Sequence, residues 1–332
     1  MKTYAFELSG EHDTLPRCEA LALVEAFSTG FSEVEFLEQC LIVQAEDLEV
    51  ETLGRRLAMT HRIIEVLAVC PADLRALAEA ACRLCLPARR YIVRARRIRD
   101  AAPPADAVER EIGRILFERG YRADLAHPEM VLRAVITSGK IVLGLEAVRT
   151  DRSSFEARRP HLKPFFHPGV LMPRMARSLV NLTQVRAGEV LLDPFAGTCG
   201  ILIEACLIGV QGLGVEVQPR LVKGALCNLQ DLDCGLLLGD AKRLPLTSSC
   251  IDAAVLDTPY GRSAKILAKS KQLLLKESLG ELFRVIRPGR RMAIVADSSI
   301  EELIEGAGFV VLQKHTDRVH RSLTRQIFIC GK

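Results

Sequence analysis

Val190-Leu191-Leu192-Asp193-Pro194-Phe195-Ala196-Gly197-Thr198-Cys199-Gly200 is the stretch whose reading decides the fold. Three apolar residues make a short buried strand, Asp193 ends it, and a loop follows in which Gly197 and Gly200 let a ligand approach the backbone. The loop enters a helix expected over residues 201–208. A lone Gly-x-x-Gly says little; the strands that follow say more. A second short strand ends in Glu216, about 20 residues past the loop, where nucleotide-binding sheets place the acid that holds ribose hydroxyls. A third ends at Asp240-Ala241 and a fourth, residues 251–257, at Asp257. Strands alternating with helices predict a doubly wound parallel sheet. Its carboxyl edge would carry Asp193, Glu216, Asp240 and Asp257. One such aspartate is usually a helix cap; four in succession point to a ligand-binding edge.

The fourth strand runs into Asp257-Thr258-Pro259-Tyr260-Gly261. Pro259 biases Thr258 toward extended backbone, which would aim the Thr258 carbonyl outward beside the Asp257 carboxylate. Two acceptors and the Tyr260 ring, on which a base could stack, suit a planar base carrying an exocyclic amine. Beyond it we expect a helix over 278–286, a fifth strand over 291–296, a helix over 300–306, and a closing hairpin of strands 309–314 and 326–330. His315, Arg318, His320, Arg321 and Arg325 lie in or beside that hairpin's loop as an RNA contact or an ordinary exposed turn.

Here a resemblance enters. The edge would also suit a dinucleotide dehydrogenase, but Gly-x-Gly-x-x-Gly is missing, and Asp193 to Gly200 resembles the S-adenosylmethionine loop of class I (Rossmann-like) methyltransferases. Asp257-Thr258-Pro259-Tyr260 is similar to the (Asp/Asn)-Pro-Pro-(Tyr/Phe) motif of those that methylate exocyclic amines. The resemblance implies that Asp193, Pro194, Phe195, Ala196, Gly197, Gly200, Glu216, Asp240, Ala241 and Asp257 bind S-adenosyl-L-methionine, and that Asp257, Thr258, Pro259 and Tyr260 carry the chemistry. Thr258 departs from the motif's usual proline: the carbonyl is kept, an N–H is gained and stiffness is lost.

Residues 1–70 alternate strand-like and helix-like stretches, as a small α+β unit with an antiparallel sheet would. Residues 71–150 add a helix over 73–85, a strand over 91–98 whose alternation would show Arg94 and Arg96 to solvent, a helix over 107–119, and two strands around Thr137-Ser138-Gly139-Lys140. This order, with Ala123-Asp124-Leu125-Ala126-His127-Pro128-Glu129 before the hairpin, resembles a THUMP domain, an RNA-binding module preceded in its family by a ferredoxin-like domain. Residues 151–175 are rich in Pro, Arg and His and weak in periodicity, hence an extended linker facing nucleic acid. The expected plan is a ferredoxin-like domain (1–70), a THUMP domain (71–150), the linker (151–175) and a Rossmann-like methyltransferase domain (176–332).

Composition sets outer bounds. The 332 residues, 49% hydrophobic, describe a globular chain. No run approaches the ~18 apolar residues of a membrane span and the first residues lack a signal peptide's apolar core, so no membrane partner is expected and the cytosol is the expected compartment. A net charge of +4 proves nothing, but clustered Arg94, Arg96, Arg158, Arg159 and Lys163 are the footprint of phosphate contacts. Eleven cysteines, an odd number, argue against a complete disulfide framework. Cys82 and Cys85 lack a second ligand pair, so no metal site is expected.

Taken whole, the chain resembles the THUMP-containing tRNA guanine-N2-methyltransferases, whose archaeal members modify the guanosine at position 10. The resemblance implies tRNA as partner and, for some relatives, a small activator protein. Two alternatives stay open: a non-catalytic RNA-binding protein with a methyltransferase-like fold, and an N-methyltransferase for another tRNA position, ribosomal RNA or DNA.

Overall fold

Period-2 apolar stretches in the first 150 residues become seven strands: β1 (Lys2–Leu8), β2 (Gly30–Leu37), β3 (Cys40–Glu46), β4 (Thr60–Pro71), β5 (Tyr91–Arg97), β6 (Met130–Thr137) and β7 (Lys140–Arg149). In the computed structural model, which describes residues 1–259, 268–320 and 323–332, they form one sheet in the order β2-β3-β1-β4-β7-β6-β5. Every pairing is antiparallel except β5 with β6. Residues 1–70 and 71–150 thus share a single sheet inside one compact unit, Met1–Asp151.

Alternation gives that sheet two faces. On one, Tyr4, Phe6, Leu41, Val43 and Ile63 pack on the helices Leu15–Ala26 and Val50–Arg56, while Tyr91, Val93, Leu132 and Ile141 pack on Leu74–Cys82 and Ala105–Glu118. On the other, Ala5, Ile42, Ile64, Val135 and Val142 meet Ile98 in a second core. Beside that core the Glu7 carboxylate is fully buried and takes Arg133 through two hydrogen bonds of 2.8 and 3.0 Å and Arg96 at 2.7 Å. In a flat sheet β1 and β6 would stand about 14 Å apart, three strand spacings. The sheet is therefore curled, with this face inside. That corrects the expectation for Arg96: its guanidinium is engaged by Glu7 and Gln39, and 27% of the side chain stays exposed.

The second unit, Arg152–Lys332, holds β8 (Val190–Asp193), β9 (Gln211–Glu216), β10 (Cys234–Leu238), β11 (Ile251–Asp257), β12 (Ile286–Ala296), β13 (Val310–His320) and β14 (Leu323–Gly331). Their order is β10-β9-β8-β11-β12-β14-β13. The first five are parallel, β14 runs antiparallel to β12, and β13 antiparallel to β14. The chain steps outward from β8 to β10, then returns to β11 and steps the other way. Such a reversal opens a crevice beyond the carboxyl ends of the two strands where it occurs, here those ending in Asp193 and Asp257.

Residues 152–171 belong to this unit and are not an extended spacer. The helix Ser153–Ala157 and the single 3-10 turn Pro160–Leu162 are held down by Arg158, which pairs with the buried Glu204 at 2.8 Å and lies over the Phe155 ring. Arg177, itself buried, reaches the same carboxylate at 2.9 Å. A disulfide joins Cys206 to Cys234 across Gly212, where a β-carbon would lie 3.0 Å from each sulfur. The cysteine count foretold no such pair. Among the described residues no helix is long and apolar enough to cross a membrane, and no cluster of three or more metal-binding side chains occurs.

Candidate active site

At the crevice the strand ends enclose a cavity of about 360 Å³ lined by Asp193, Pro194, Phe195, Ala196, Gly197 and Gly200 of the first loop, Glu216, Asp240, Ala241, and Asp257-Thr258-Pro259. All ten residues expected to bind the donor line it, as do three of the four expected to carry the chemistry. The fourth, Tyr260, lies outside the described residues, as do Gly261 and, on the closing hairpin, Arg321.

Each acid has a definite setting. Asp193 is 1% exposed and accepts the Phe195 N–H at 3.0 Å. Burial pushes its carboxyl up to about 8; the Phe195 N–H pulls it down, and the charges of Asp257 and Glu216 push it further up. Glu216 bridges two loops, one oxygen accepting the Gly197 N–H at 3.0 Å and the other the Gln218 N–H at 2.9 Å. Each oxygen keeps a second acceptor direction, enough for a ribose diol. Asp240 is half exposed, accepts the Lys242 N–H at 3.0 Å, and lies 3.5 Å from the Lys242 ammonium.

The glycine loop folds as a tight turn. Gly197 has φ +50° and Cys199 φ +63°, left-handed values that a cysteine adopts at a cost. Cys199 then precedes the helix Gly200–Cys206. Thr258 is buried; its N–H donates to the Val295 carbonyl at 2.9 Å, extending the β11–β12 ladder, while its hydroxyl has no hydrogen-bond partner among the described residues. The extra N–H that a threonine brings where proline is usual is thus absorbed by the sheet.

The basic residues expected to meet RNA divide. Arg94 is half exposed and 3.9 Å from Glu109, and Arg159 is similarly exposed beside Glu156. Arg96 and Arg158 are occupied inside their units, by Glu7 and Glu204. Lys163 turns toward the glycine loop, its ammonium 4.0 Å from where a β-carbon on Gly200 would sit, and burial lowers its pKa. Sequence reasoning passed over the segment His167–Leu171, Val217, Gln218, Leu221 and Leu274, which also line the cavity.

A parallel sheet reversing at β8 and β11, closed by an antiparallel hairpin and carrying a glycine loop and an acid-rimmed cavity, is the architecture of a class I methyltransferase. Residues 160–327 match the RMKL-like methyltransferase domain family. Two solved structures share the fold over 99% of this chain: TrmN from Thermus thermophilus (TM-score 0.55, 21% identity, 99% of that chain) and SMU.472, a putative methyltransferase complexed with SAH (TM-score 0.52, 14% identity, 98% of that chain). The tRNA (guanine(10)-N2)-dimethyltransferase of Methanothermobacter thermautotrophicus is 34% identical over 331 residues, 96% of each chain. That of Methanocaldococcus jannaschii is 29% identical over 98% of this chain and 99% of its own. The chain belongs to the tRNA (guanine(10)-N2)-dimethyltransferase family.

Proposed function

We propose that the protein methylates the exocyclic N2 of guanosine in tRNA, at position 10, from S-adenosylmethionine, in the cytosol. The observation that carries this is the meeting of Asp257-Thr258-Pro259 with the glycine loop and Glu216 in one cavity. Acids suit a cationic donor, apolar Phe195, Ile201 and Leu221 suit a nucleoside base, and the volume falls within the range of small-ligand pockets. Glu216 would take the ribose hydroxyls, and Asp240 with Ala241 the base. When bound, the donor supplies a methyl group on a sulfonium sulfur.

The guanine amine is a poor nucleophile because its lone pair is delocalised into the ring. Hydrogen bonds from its two N–H groups to the Asp257 carboxylate and the Thr258 carbonyl favour a pyramidal nitrogen whose lone pair faces the methyl. Positioning of this kind supplies much of the rate. With the donor bound, its methyl would pass to the nitrogen as the bond to sulfur is given up, and Asp257 would take the proton shed from nitrogen and pass it to water. The base must leave its stack to reach the cavity. Residues 1–151, with Arg94 among their exposed cations and a THUMP-like element order, would hold the RNA backbone, joined by Arg159. The deciding assay incubates the chain alone with unmodified tRNA and labelled donor and maps the product. N2-methyl- and N2,N2-dimethylguanosine confined to one position is the expected result; product at another position or in ribosomal RNA, or donor binding without product, overturns it.

Two predictions follow from the site's chemistry. Burial holds the Asp193 carboxyl up at about 8, and a cation brought beside it favours the ionised form, so donor binding should release a proton. Donor affinity should therefore rise with pH up to about 8, by at most about tenfold per pH unit for one linked proton. Calorimetry at pH 7 in buffers of different ionisation heat should show proton release, and flat affinity from pH 6 to 8 would contradict it. Second, Thr258→Pro restores the usual residue but deletes the hydrogen bond to Val295. It should cost about 1 kcal/mol in denaturant unfolding while keeping turnover within about tenfold, because the carbonyl survives.

A further inference from the structure

Asn228, the last residue of the helix Pro219–Asn228, does not line the cavity, yet its carboxamide ties two of the cavity's walls together. Its Oδ1 accepts the Phe165 N–H at 2.9 Å, and its Nδ2 donates to the Phe165 carbonyl at 2.9 Å and the Thr198 carbonyl at 3.1 Å. Both amide hydrogens are used, and a flipped carboxamide would set like against like at all three contacts. The Phe165 ring meanwhile rests on Gly224 of the same helix, where a β-carbon would come within 2.5 Å of three ring atoms. Phe165 lies two residues before His167, where the segment begins to line the cavity, and Thr198 sits in the glycine loop. The helix itself begins directly after Gln218, whose N–H is held by Glu216.

We propose that Asn228 and Gly224 form a socket for Phe165 that sets the strap of residues 165–171 against the glycine loop, so that the donor cavity is preformed before the donor arrives. Asn228 is then a positioning residue for donor binding. This rests on reading the cavity as the S-adenosylmethionine site. The strap has no regular element between Leu162 and Pro173, and at Phe165 its backbone pairs with the carboxamide rather than with a strand. Without the socket, ordering this segment becomes a cost charged to the donor's affinity.

The binding measurement uses the full chain with S-adenosylhomocysteine as probe, so neither tRNA nor turnover enters it; a kinetic readout stands beside it. Asn228→Asp keeps the acceptor for the Phe165 N–H but turns an anionic oxygen on two carbonyls; Gly224→Ala leaves Asn228 in place and pushes the ring off. Both should weaken binding in calorimetry by about 10- to 100-fold, the scale of two or three hydrogen bonds. Both should also speed hydrogen exchange over residues 163–171 in the ligand-free protein, with β8, β11 and β12 still protected. At saturating donor the turnover number should stay within about threefold while KM for the donor rises, a split that general destabilisation would not give. Unchanged affinity in both variants, or unchanged exchange in the strap, overturns the proposal. Should one variant lose protection throughout the second unit, Phe165→Ala, which empties the socket without touching the helix, decides by the same readouts. If the wild-type chain fails to bind the probe at all, it is the donor reading of the cavity that falls.

Discussion

Asp257→Ala should lower the turnover number by about 10²- to 10⁴-fold, the range over which a positioned proton acceptor and orienting group contributes, and leave donor affinity within about threefold. The reasoning is spatial. Asp257 ends β11, whose register against β12 continues through the Thr258 N–H to Val295, so the backbone that carries the carboxylate is fixed by the sheet. Two backbone groups of the glycine loop are held by other acids: the Phe195 N–H by Asp193 and the Gly197 N–H by Glu216. Removing the Asp257 carboxylate should therefore leave the donor's cradle standing while the amine loses an acceptor.

Glu216→Ala makes the contrast. It takes away the acceptor for the Gly197 and Gln218 N–H groups and the expected partner of the ribose, so donor affinity should fall first. Stopped-flow or quench measurements at saturating donor, beside calorimetry with S-adenosylhomocysteine, separate the two variants. Equal loss of donor affinity in both would overturn the division of labour.

What could be read from the sequence was local in origin. The loop from Asp193 to Gly200 and the four acid-ended strands are each defined by neighbours in the chain, and their meeting in one cavity follows from the handedness and order of a doubly wound sheet. What could not be read depends on distant partners. Alternation in β5 correctly sorts Arg94 and Arg96 from Tyr91 and Val93, but it names a face without saying whether anything covers that face. The curl of the seven-stranded sheet, which brings Arg133 and Arg96 onto Glu7, is a property of strands up to 126 residues apart in sequence. The segment 152–171 has no periodicity because it makes no long element; Glu204, Gly224 and Asn228, all later in the chain, hold parts of it in place. Cys206 and Cys234 meet only because β9 runs between the helix of one and the strand of the other.

That buried carboxylate yields the second large effect, on stability. Glu7 is 0% exposed, with Arg133 doubly bonded to it, Arg96 at 2.7 Å and Arg62 at 3.5 Å, the last also held by Glu146 at 2.6 Å. Burial alone would raise the Glu7 carboxyl, but the hydrogen bonds and charges of Arg133 and Arg96 outweigh it and leave the pKa below the usual 4.5. Replacing both sides of such a cluster with apolar residues can be neutral, whereas removing one side leaves charge uncompensated in the interior and costs about 3–5 kcal/mol. Glu7→Ala should cost that much in denaturant unfolding of the first unit, since Arg133, its doubly bonded partner, is itself buried.

The pH dependence has a fixed sign. A carboxyl whose folded pKa lies below its unfolded value contributes stability that is fully present above about pH 4.5 and drains away as pH falls through the folded pKa. The wild-type unit should accordingly lose stability steadily below pH 4.5, and Glu7→Gln, which keeps the shape but cannot ionise, should lose less over the same interval while starting lower at pH 7. The two unfolding curves should converge on acidification. If they run parallel from pH 7 to pH 3, the Glu7 charge is not what holds β1 to β5 and β6, and the curl of the sheet must be attributed to the apolar contacts of Ala5, Ile64, Ile98 and Val135 alone.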